Sequence, residues 1–426
     1  MLDPALIRKE AAAVKAAIES KGDHANLDEW LALDGKRRTL LQEVEELKSV
    51  RNRVSEQIGV LKREKKSADE PIAEMKEVSQ KIAAMDGDLR SIEDQIYEIS
   101  IRIPNIPDES VPVGDESANR TEREWGRPAE HPFEAKTHWE LGEALGILDF
   151  ARSSKLSGSG FSLYWRDGAA LQRALIRFMI DLHTKDHGYE EIYTPFLVSR
   201  ESMFGTGQLP KMEEDMYQCR DDELFLIPTA EVPITNAHAD EIFDDAELPR
   251  RYVGYTPCFR REAGSAGKET RGLNRMHQFD KVELVRFERT EDSYAALEEL
   301  LGHAEEVLKR LELPYRVLTL ATGDLSFAAA KTYDIEVWAP GQKRWLEVSS
   351  CSNFLDFQAR RAKIRYRVAD RKENRYVHTL NGSGLALPRL FIAVLETYQQ
   401  ADGSIAIPAA LRPYLDGRRT LTGRDT

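Results

Sequence analysis

Apolar positions between residues 33 and 103 fall on a seven-residue beat. Leu40, Val44, Leu47, Val54, Ile58 and Leu61 step by four and three, interrupted only at Arg51. After a polar break, Ile82, Met85, Leu89, Ile92, Ile96, Ile99 and Ile103 repeat the pattern without a gap. Such repeats mark helices that share a narrow seam. The break, Lys65-Lys66-Ser67-Ala68-Asp69-Glu70-Pro71, carries turn formers and a helix-initiating proline. Two helices joined by so short a turn pack antiparallel, as a coiled-coil hairpin with arms of roughly 29 residues, about 45 Å. A single-strand coiled coil that dimerises is the alternative; the short central break argues against it.

Ile103-Pro104-Asn105-Ile106-Pro107 ends the helical pattern, because each proline removes a backbone donor. The expected division is an N-terminal helical domain over 1–107 and a second domain over 108–426, with a polar linker at about 108–127. Beyond it, Leu171, Leu175, Phe178, Met179 and Leu182 predict an amphipathic helix that Gly188 can terminate. Short strand-like runs follow at 191–194, 224–227, 282–285, 333–338 and 345–348. Several are joined by loops too short for a crossover helix, which predicts an α+β domain around an antiparallel sheet.

Charge changes this picture only when its distribution is read. The 426 residues carry 60 Lys+Arg against 73 Asp+Glu, a net −13 that would repel a phosphate backbone. Residues 36–66, however, hold ten basic side chains and five acidic ones, so the first hairpin arm runs at +5. A mixed-charge coiled-coil face is commonly just solubilising; a basic rod on an acidic body can also grip RNA. No apolar run approaches the ~20 residues of a membrane span. Met1-Leu2-Asp3-Pro4 has no basic leader or apolar signal core, and Cys219, Cys258 and Cys351 suggest no disulfide framework. A cytoplasmic protein is expected.

Three attractive motifs fail. Gly264-Ser265-Ala266-Gly267-Lys268 lacks the leading glycine of a phosphate loop, and Glu269 stands where Ser or Thr is needed. His183 and His187 share a helix face, but Thr184 replaces the glutamate of a zinc-protease helix. Gly158-Ser159-Gly160 and Gly205-Thr206-Gly207 lack the third glycine of a dinucleotide turn. The chemistry gathers elsewhere. Cys258-Phe259-Arg260-Arg261-Glu262 runs into a glycine-containing loop and returns through His277-Gln278-Phe279-Asp280-Lys281-Val282-Glu283. Glu347-Val348-Ser349-Ser350-Cys351-Ser352-Asn353 sets hard oxygen donors, suited to Mg²⁺, at a strand end. Asn381-Gly382-Ser383-Gly384 leads to Arg389 in the first turn of a helix, where a guanidinium can stack on a base.

Together these stretches resemble the three signature motifs of class II aminoacyl-tRNA synthetases. The first is the long helix with Ile192-Tyr193-Thr194-Pro195, the second Phe259-Arg260-Arg261-Glu262 with its returning strand, the third Gly382-Ser383-Gly384 with Arg389. Within that class the chain is similar to the bacterial-type seryl-tRNA synthetases over nearly its whole length. Gly205-Thr206-Gly207-Gln208-Leu209-Pro210-Lys211, Pro228-Thr229-Ala230-Glu231, Lys331-Thr332-Tyr333-Asp334 and Asp356-Phe357-Gln358-Ala359-Arg360-Arg361 also match.

The resemblance implies ATP-dependent attachment of L-serine to its tRNA through a seryl-adenylate, by a homodimer joined through the first motif and Pro195. Catalysis would fall to Arg260, Glu347 and Arg389, with Arg260 on the α-phosphate. ATP would meet Arg260, Arg261, Glu262, Met276, Phe279, Glu347, Val348, Ser349, Ser350 and Arg389. Phe279 and Arg389 would sandwich the adenine, and Glu262 would hold its amino group. Serine would meet Thr229, Ala230, Glu231, Arg260, Glu283, Asn381 and Ser383. Mg²⁺ would sit on Glu347 and Ser350; no zinc is expected, since no cysteine-based ligand pattern is evident. Arg51, Arg53, Lys62, Arg63, Lys65 and Lys66 would contact the long variable arm of serine tRNA, with selenocysteine tRNA a further candidate. Gly272-Leu273-Asn274-Arg275-Met276 departs from common bacterial wording, which touches the lining of the adenylate pocket's edge. An adenylate-forming paralogue that charges a carrier protein and a catalytically silent scaffold are the rivals.

Overall fold

The computed structural model describes residues 1–128, 130–263, 271–369, 371 and 373–423. Contacts divide the chain into two compact units, residues 2–104 and 105–426.

In the first unit, helices α1 (Leu27–Arg63) and α2 (Asp69–Ser100) form the hairpin. Asn26 caps α1 by accepting from Glu29 N at 3.2 Å, acids fill the first turn and Lys62 and Arg63 the last, each favourable with the helix dipole. The turn spans residues 64–68, with Lys65 left-handed at φ 56°. Val44, Val54 and Ile58 of α1 and Val78 and Ile82 of α2 are buried, while Leu40, Leu47 and Leu61 are half-buried. Two helices without a third layer cannot cover the seam fully. Arg51 breaks the heptad and is half-buried, its aliphatic stem lying where an apolar residue is expected. At the other end Trp30 is fully buried and donates from Nε1 to Ser100 Oγ at 2.7 Å, so the start of α1 meets the end of α2. The helices are therefore antiparallel.

The second unit is built on an eight-stranded sheet. In chain order its strands are β1 (Arg120–Trp125), β2 (Glu190–Glu191), β3 (Arg250–Phe259), β4 (Gln278–Glu288), β5 (Tyr315–Thr319), β6 (Lys331–Ala339), β7 (Arg344–Asn353) and β8 (His378–Ala386). Across the sheet they run β1-β5-β6-β7-β8-β4-β3-β2, and every pair is antiparallel except β2 with β3. Helices α3 (His138–Ala144), α4 (Arg166–Lys185), α5 (Ser293–Arg310) and α6 (Leu387–Tyr398) contribute to one large core with the sheet. Leu171, Leu175, Phe178, Met179 and Leu182 are the buried stripe of α4, as their spacing predicts. Gly382 on β8 allows α5 to pack closely: a Cβ there would lie 2.4 Å from Leu300 Cδ2.

Two sequence expectations are corrected. The polar stretch read as a linker contains β1, paired with β5 along its length. All six β1 residues are exposed, so no apolar alternation announces the strand, although Trp125 stacks on Tyr315 at 5.7 Å. The expected strand at 191–194 is observed as Glu190–Glu191 beside β3, with Ile192 N still donating to Val253 O at 2.9 Å. The His183–His187 pair is structural, while Thr206 and Gly207 line the cavity described below. His183 and His187 sit with Nδ1 atoms 3.0 Å apart, and burial together with His187 holds the His183 imidazole near pKa 3. The stretch 264–268 lies outside the described residues. No helix among those residues is long and apolar enough to cross a membrane.

The Trp30 contact gives a stability prediction. Trp30→Ala should destabilise the helical unit by about 3–5 kcal/mol, the usual cost of emptying a large aromatic site. Urea unfolding followed by helical circular dichroism measures it, and a loss below ~1 kcal/mol would contradict the packing.

Candidate active site

The sheet register brings the conspicuous residues together. Strand periodicity places Phe279, Lys281 and Glu283 of β4 on one face. Glu283 lies directly opposite Ser383 of β8. A bulge on β8 between Ser383 and Leu385, and another on β7 between Glu347 and Ser349, shift the alternation by one residue. Glu347 and Ser350 therefore share the face of Ser352, while Ser349 turns to the opposite side. These strands line a cavity of about 630 Å³.

Its floor is a buried polar cluster. Lys281 forms an ion pair with Glu283 and donates to Thr229 Oγ1 at 2.9 Å; Thr229 Oγ1 donates to Glu283 Oε2 at 3.2 Å. Glu231, at the start of the helix Glu231–Asn236, accepts from Gln358 Nε2 at 2.5 Å. Burial and the neighbouring Glu283 charge push the Glu231 carboxyl up to about 7.

Among the described residues four cations line the cavity, and three are paired. Besides Lys281, Arg275 pairs with Glu262, and Arg389 donates to Glu347 Oε2 at 3.2 Å and to its carbonyl at 2.7 Å. Arg260 has no carboxylate partner among the described residues; its guanidinium lies 5.2 Å from the Phe279 ring centroid and Nε donates to Pro228 O at 3.3 Å. A planar cation without a counter-ion in a polar cavity suits a phosphate.

The donor set is also compatible with a magnesium ion. Ser350 faces Asp334 across the β6–β7 ladder, and Asp334 Oδ1 is buried without a hydrogen-bond partner. Burial and the Glu347 charge push the Asp334 carboxyl well above the usual range. Carboxylates with a hydroxyl between them are hard donors that a divalent cation satisfies. No group of three or more His, Cys, Asp or Glu poised for a metal occurs among the described residues. Magnesium shared with phosphates needs only one or two protein carboxylates.

Thirteen of the sixteen residues expected from sequence at the serine and ATP sites line this cavity: Thr229, Glu231, Arg260, Glu262, Met276, Phe279, Glu283, Glu347, Val348, Ser350, Asn381, Ser383 and Arg389. Three do not. Ala230 is fully buried in the cluster with Phe243 and Phe287. Arg261 is exposed, held by its backbone N–H to Asp215 O at 2.9 Å. Ser349, behind the bulge, donates to Ser383 O at 2.7 Å. On the hairpin, Arg53, Lys62, Arg63, Lys65 and Lys66 are exposed and Arg51 is half-buried; Lys66 pairs with Glu64 at 2.8 Å. Lys281 and Arg275 were missed. Alternation from Phe279 to Glu283 was a usable signal for Lys281; Arg275 lies in the stretch 272–276, read as touching the pocket's edge but without a role for this residue.

An antiparallel sheet carrying this cavity between its second and third motifs is the core of a class II aminoacyl-tRNA synthetase. Residues 213–398 match the family described as the tRNA synthetase class II core domain (G, H, P, S and T), and residues 1–107 match the seryl-tRNA synthetase N-terminal domain. The chain is 54% identical over 416 residues to the serine–tRNA ligase of Syntrophobacter fumaroxidans, covering 97% of this chain and 98% of that one. The Listeria monocytogenes serine–tRNA ligase is 54% identical over 419 residues, covering 98% of each chain. The fold is similar to the seryl-tRNA synthetase of Pyrococcus horikoshii solved with ATP, at TM-score 0.95, 39% identity and full coverage of both chains. The cytoplasmic serine–tRNA ligase of Naegleria fowleri solved with AMP gives TM-score 0.89 at 29% identity, covering 100% of this chain and 99% of that one. The chain belongs to the seryl-tRNA synthetase family.

Glu231 offers a direct check on the cavity floor. Its protonated-carboxyl infrared band should disappear as pH rises through about 7 and be missing from Glu231→Gln. Because the folded pKa is raised, the group favours the fold at low pH and loses that contribution as pH rises from ~4.3 toward 7. A band lost below pH 5 would refute the raised value.

Proposed function

We propose that the chain attaches L-serine to serine tRNA in two steps, first forming seryl-adenylate from ATP and then transferring serine to the ribose of the terminal adenosine. The observation that carries this reading is the Arg260 cation, without a carboxylate partner among the described residues, set between the Phe279 ring and the buried polar floor.

Glu231 and Glu283 are acceptors for the substrate ammonium, and Lys281 offsets one of their charges. Ammonium binding draws Glu231 into its ionised form. Thr229, Asn381 and Ser383 supply the short polar contacts that a hydroxyl can meet and an alanine methyl cannot, a basis for discrimination of ~10⁴-fold. Arg260 orients the α-phosphate and stabilises the charge that builds on it as the serine carboxylate attacks and pyrophosphate leaves. Phe279 and Arg389 bracket the adenine, with Glu262 toward its amino group. Glu347 and Ser350 would hold Mg²⁺, which when bound neutralises phosphate charge.

The exposed bases Arg53, Lys62, Arg63, Lys65 and Lys66, with Arg51, bind the tRNA backbone on the hairpin. Tyr193 and Leu197, large and exposed beside Pro195, are the apolar surface through which two copies pair. The working form is a cytoplasmic homodimer.

Two measurements test the halves of this reading. Arg260→Ala should reduce serine-dependent pyrophosphate exchange by 10³-fold or more, about 4 kcal/mol of transition-state stabilisation. Near-wild-type exchange would remove Arg260 from the phosphate. Reversing Arg53, Lys62 and Arg63 to glutamate should leave exchange within about twofold but cut tRNA charging at least ~100-fold at 0.15 M salt. Unchanged charging would take the hairpin off the RNA.

A further inference from the structure

His138 opens α3 and Glu396 lies seven residues beyond Arg389 on α6; both side chains are completely buried, and neither lines the cavity. Glu396 Oε1 accepts from His138 N at 2.9 Å and lies 3.1 Å from His138 Nδ1. On the other side of the ring, Leu273 N donates to His138 Nε2 at 3.0 Å. A nitrogen that accepts from an amide carries no proton, so the ring hydrogen is on Nδ1 and is donated to Glu396. This neutral tautomer satisfies both Glu396 and Leu273; Gln342 Nε2, 3.4 Å from Nδ1, donates to Glu396 Oε1 at 3.2 Å.

Glu396 Oε2 accepts from Gly341 N at 2.9 Å and Gln342 N at 3.1 Å. Gln342 Oε1 in turn accepts from Asn274 Nδ2 at 2.9 Å, and Arg389 Nε donates to Asn274 O at 3.4 Å. Gly272, at φ +68°, presses so close that a Cβ would stand 2.2 Å from His138 Nε2. The residues fastened in this way, Leu273 and Asn274, continue into Arg275 and Met276, and all four line the cavity.

We propose that His138 and Glu396 are positioning residues that clamp the returning stem of the second motif to the helix of the third, and that the clamp sets affinity for ATP. This rests on ATP occupying the cavity. The stem carries Arg275 and the backbone partner of Arg389, so freeing it disorders the nucleotide side while the floor keeps its geometry, with Lys281 and Glu283 held on β4 and Thr229 bonded to both. The charged groups that act on His138 are Glu396, which favours its protonation, and Arg344, which opposes it; burial, with Arg344 on the same side, outweighs Glu396 and holds the imidazole below its ordinary range.

The test is serine-dependent pyrophosphate exchange with active-site-titrated enzyme, comparing His138→Phe, His138→Gln, Gln342→Ala and wild type. His138→Phe should raise KM for ATP roughly tenfold, the loss of one to two buried hydrogen bonds, and leave KM for serine within about twofold. Gln342→Ala, at a half-buried site that tolerates truncation, should raise KM for ATP about threefold. His138→Gln keeps an acceptor for Leu273 N and should recover part of the loss. Unchanged KM for ATP in Gln342→Ala and His138→Phe overturns the clamp, as do parallel rises in both KM values. Should His138→Phe fail to fold, Gln342→Ala decides alone. Wild-type enzyme without serine-dependent exchange would instead overturn the cavity assignment.

Discussion

The buried Lys281–Glu283 pair is the constraint on which the cavity depends. Taking both charges out of water costs several kcal/mol each, and their attraction offsets that only with close geometry and filled hydrogen-bond sites. Thr229 Oγ1 supplies the third contact to both partners. A one-residue slip of β4 against β3 or β8 would turn Lys281 and Glu283 toward the core containing Leu297, Leu300 and Leu301. The pair therefore fixes register as well as chemistry, and with it the position of Phe279 at one end of the face and of Ser383 across the ladder.

What the sequence made legible follows from where local pattern and tertiary position coincide. The hairpin was readable because a seam between two long helices repeats every seven residues, and a single exception at Arg51 does not hide it. The charge on that hairpin was readable only regionally: residues 36–66 run at +5 within a chain of net −13. Strand β1 was unreadable, since an exposed edge strand needs no apolar face and its polar residues imitate a linker. Thirteen cavity residues were identified from a resemblance carried by motifs; their facing was then decided by features that no alternation rule foresees. The bulge in β7 is the clearest case: counting by twos groups Glu347 with Ser349, whereas the extra residue groups it with Ser350. Ala230 likewise borders two lining residues yet packs behind them.

Lys281 apart, the residues missed have a common cause. Arg275, Asn274, His138 and Glu396 act through an irregular stem and a buried network spanning more than 250 residues of sequence. Such contacts leave no periodicity, and a histidine in Thr137-His138-Trp139-Glu140 reads as nothing more than the start of a capped helix.

Charge balance in the cavity then explains why its pairs must be exchangeable. Arg260, Arg275, Lys281 and Arg389 stand against Asp215, Glu231, Glu262, Glu283 and Glu347. With every one of these described groups ionised the lining is one charge negative; the raised Glu231 pKa brings it nearer neutral at pH 7. A neutral lining gives a nucleoside triphosphate no net attraction. Affinity for the phosphates must come from local arrangement: one cation without a carboxylate among the described residues, two others in pairs at the cavity wall that can trade partners, and hard donors for a divalent ion beside them. The buried pair with Lys281 is the one that has no reason to open, because Glu283 would be left charged, desolvated and alone. The division between exchangeable pairs toward the phosphates and a fixed pair beneath the amino acid matches the separation between the stem that the His138–Glu396 network fastens and the strands that the Lys281–Glu283 pair holds in register.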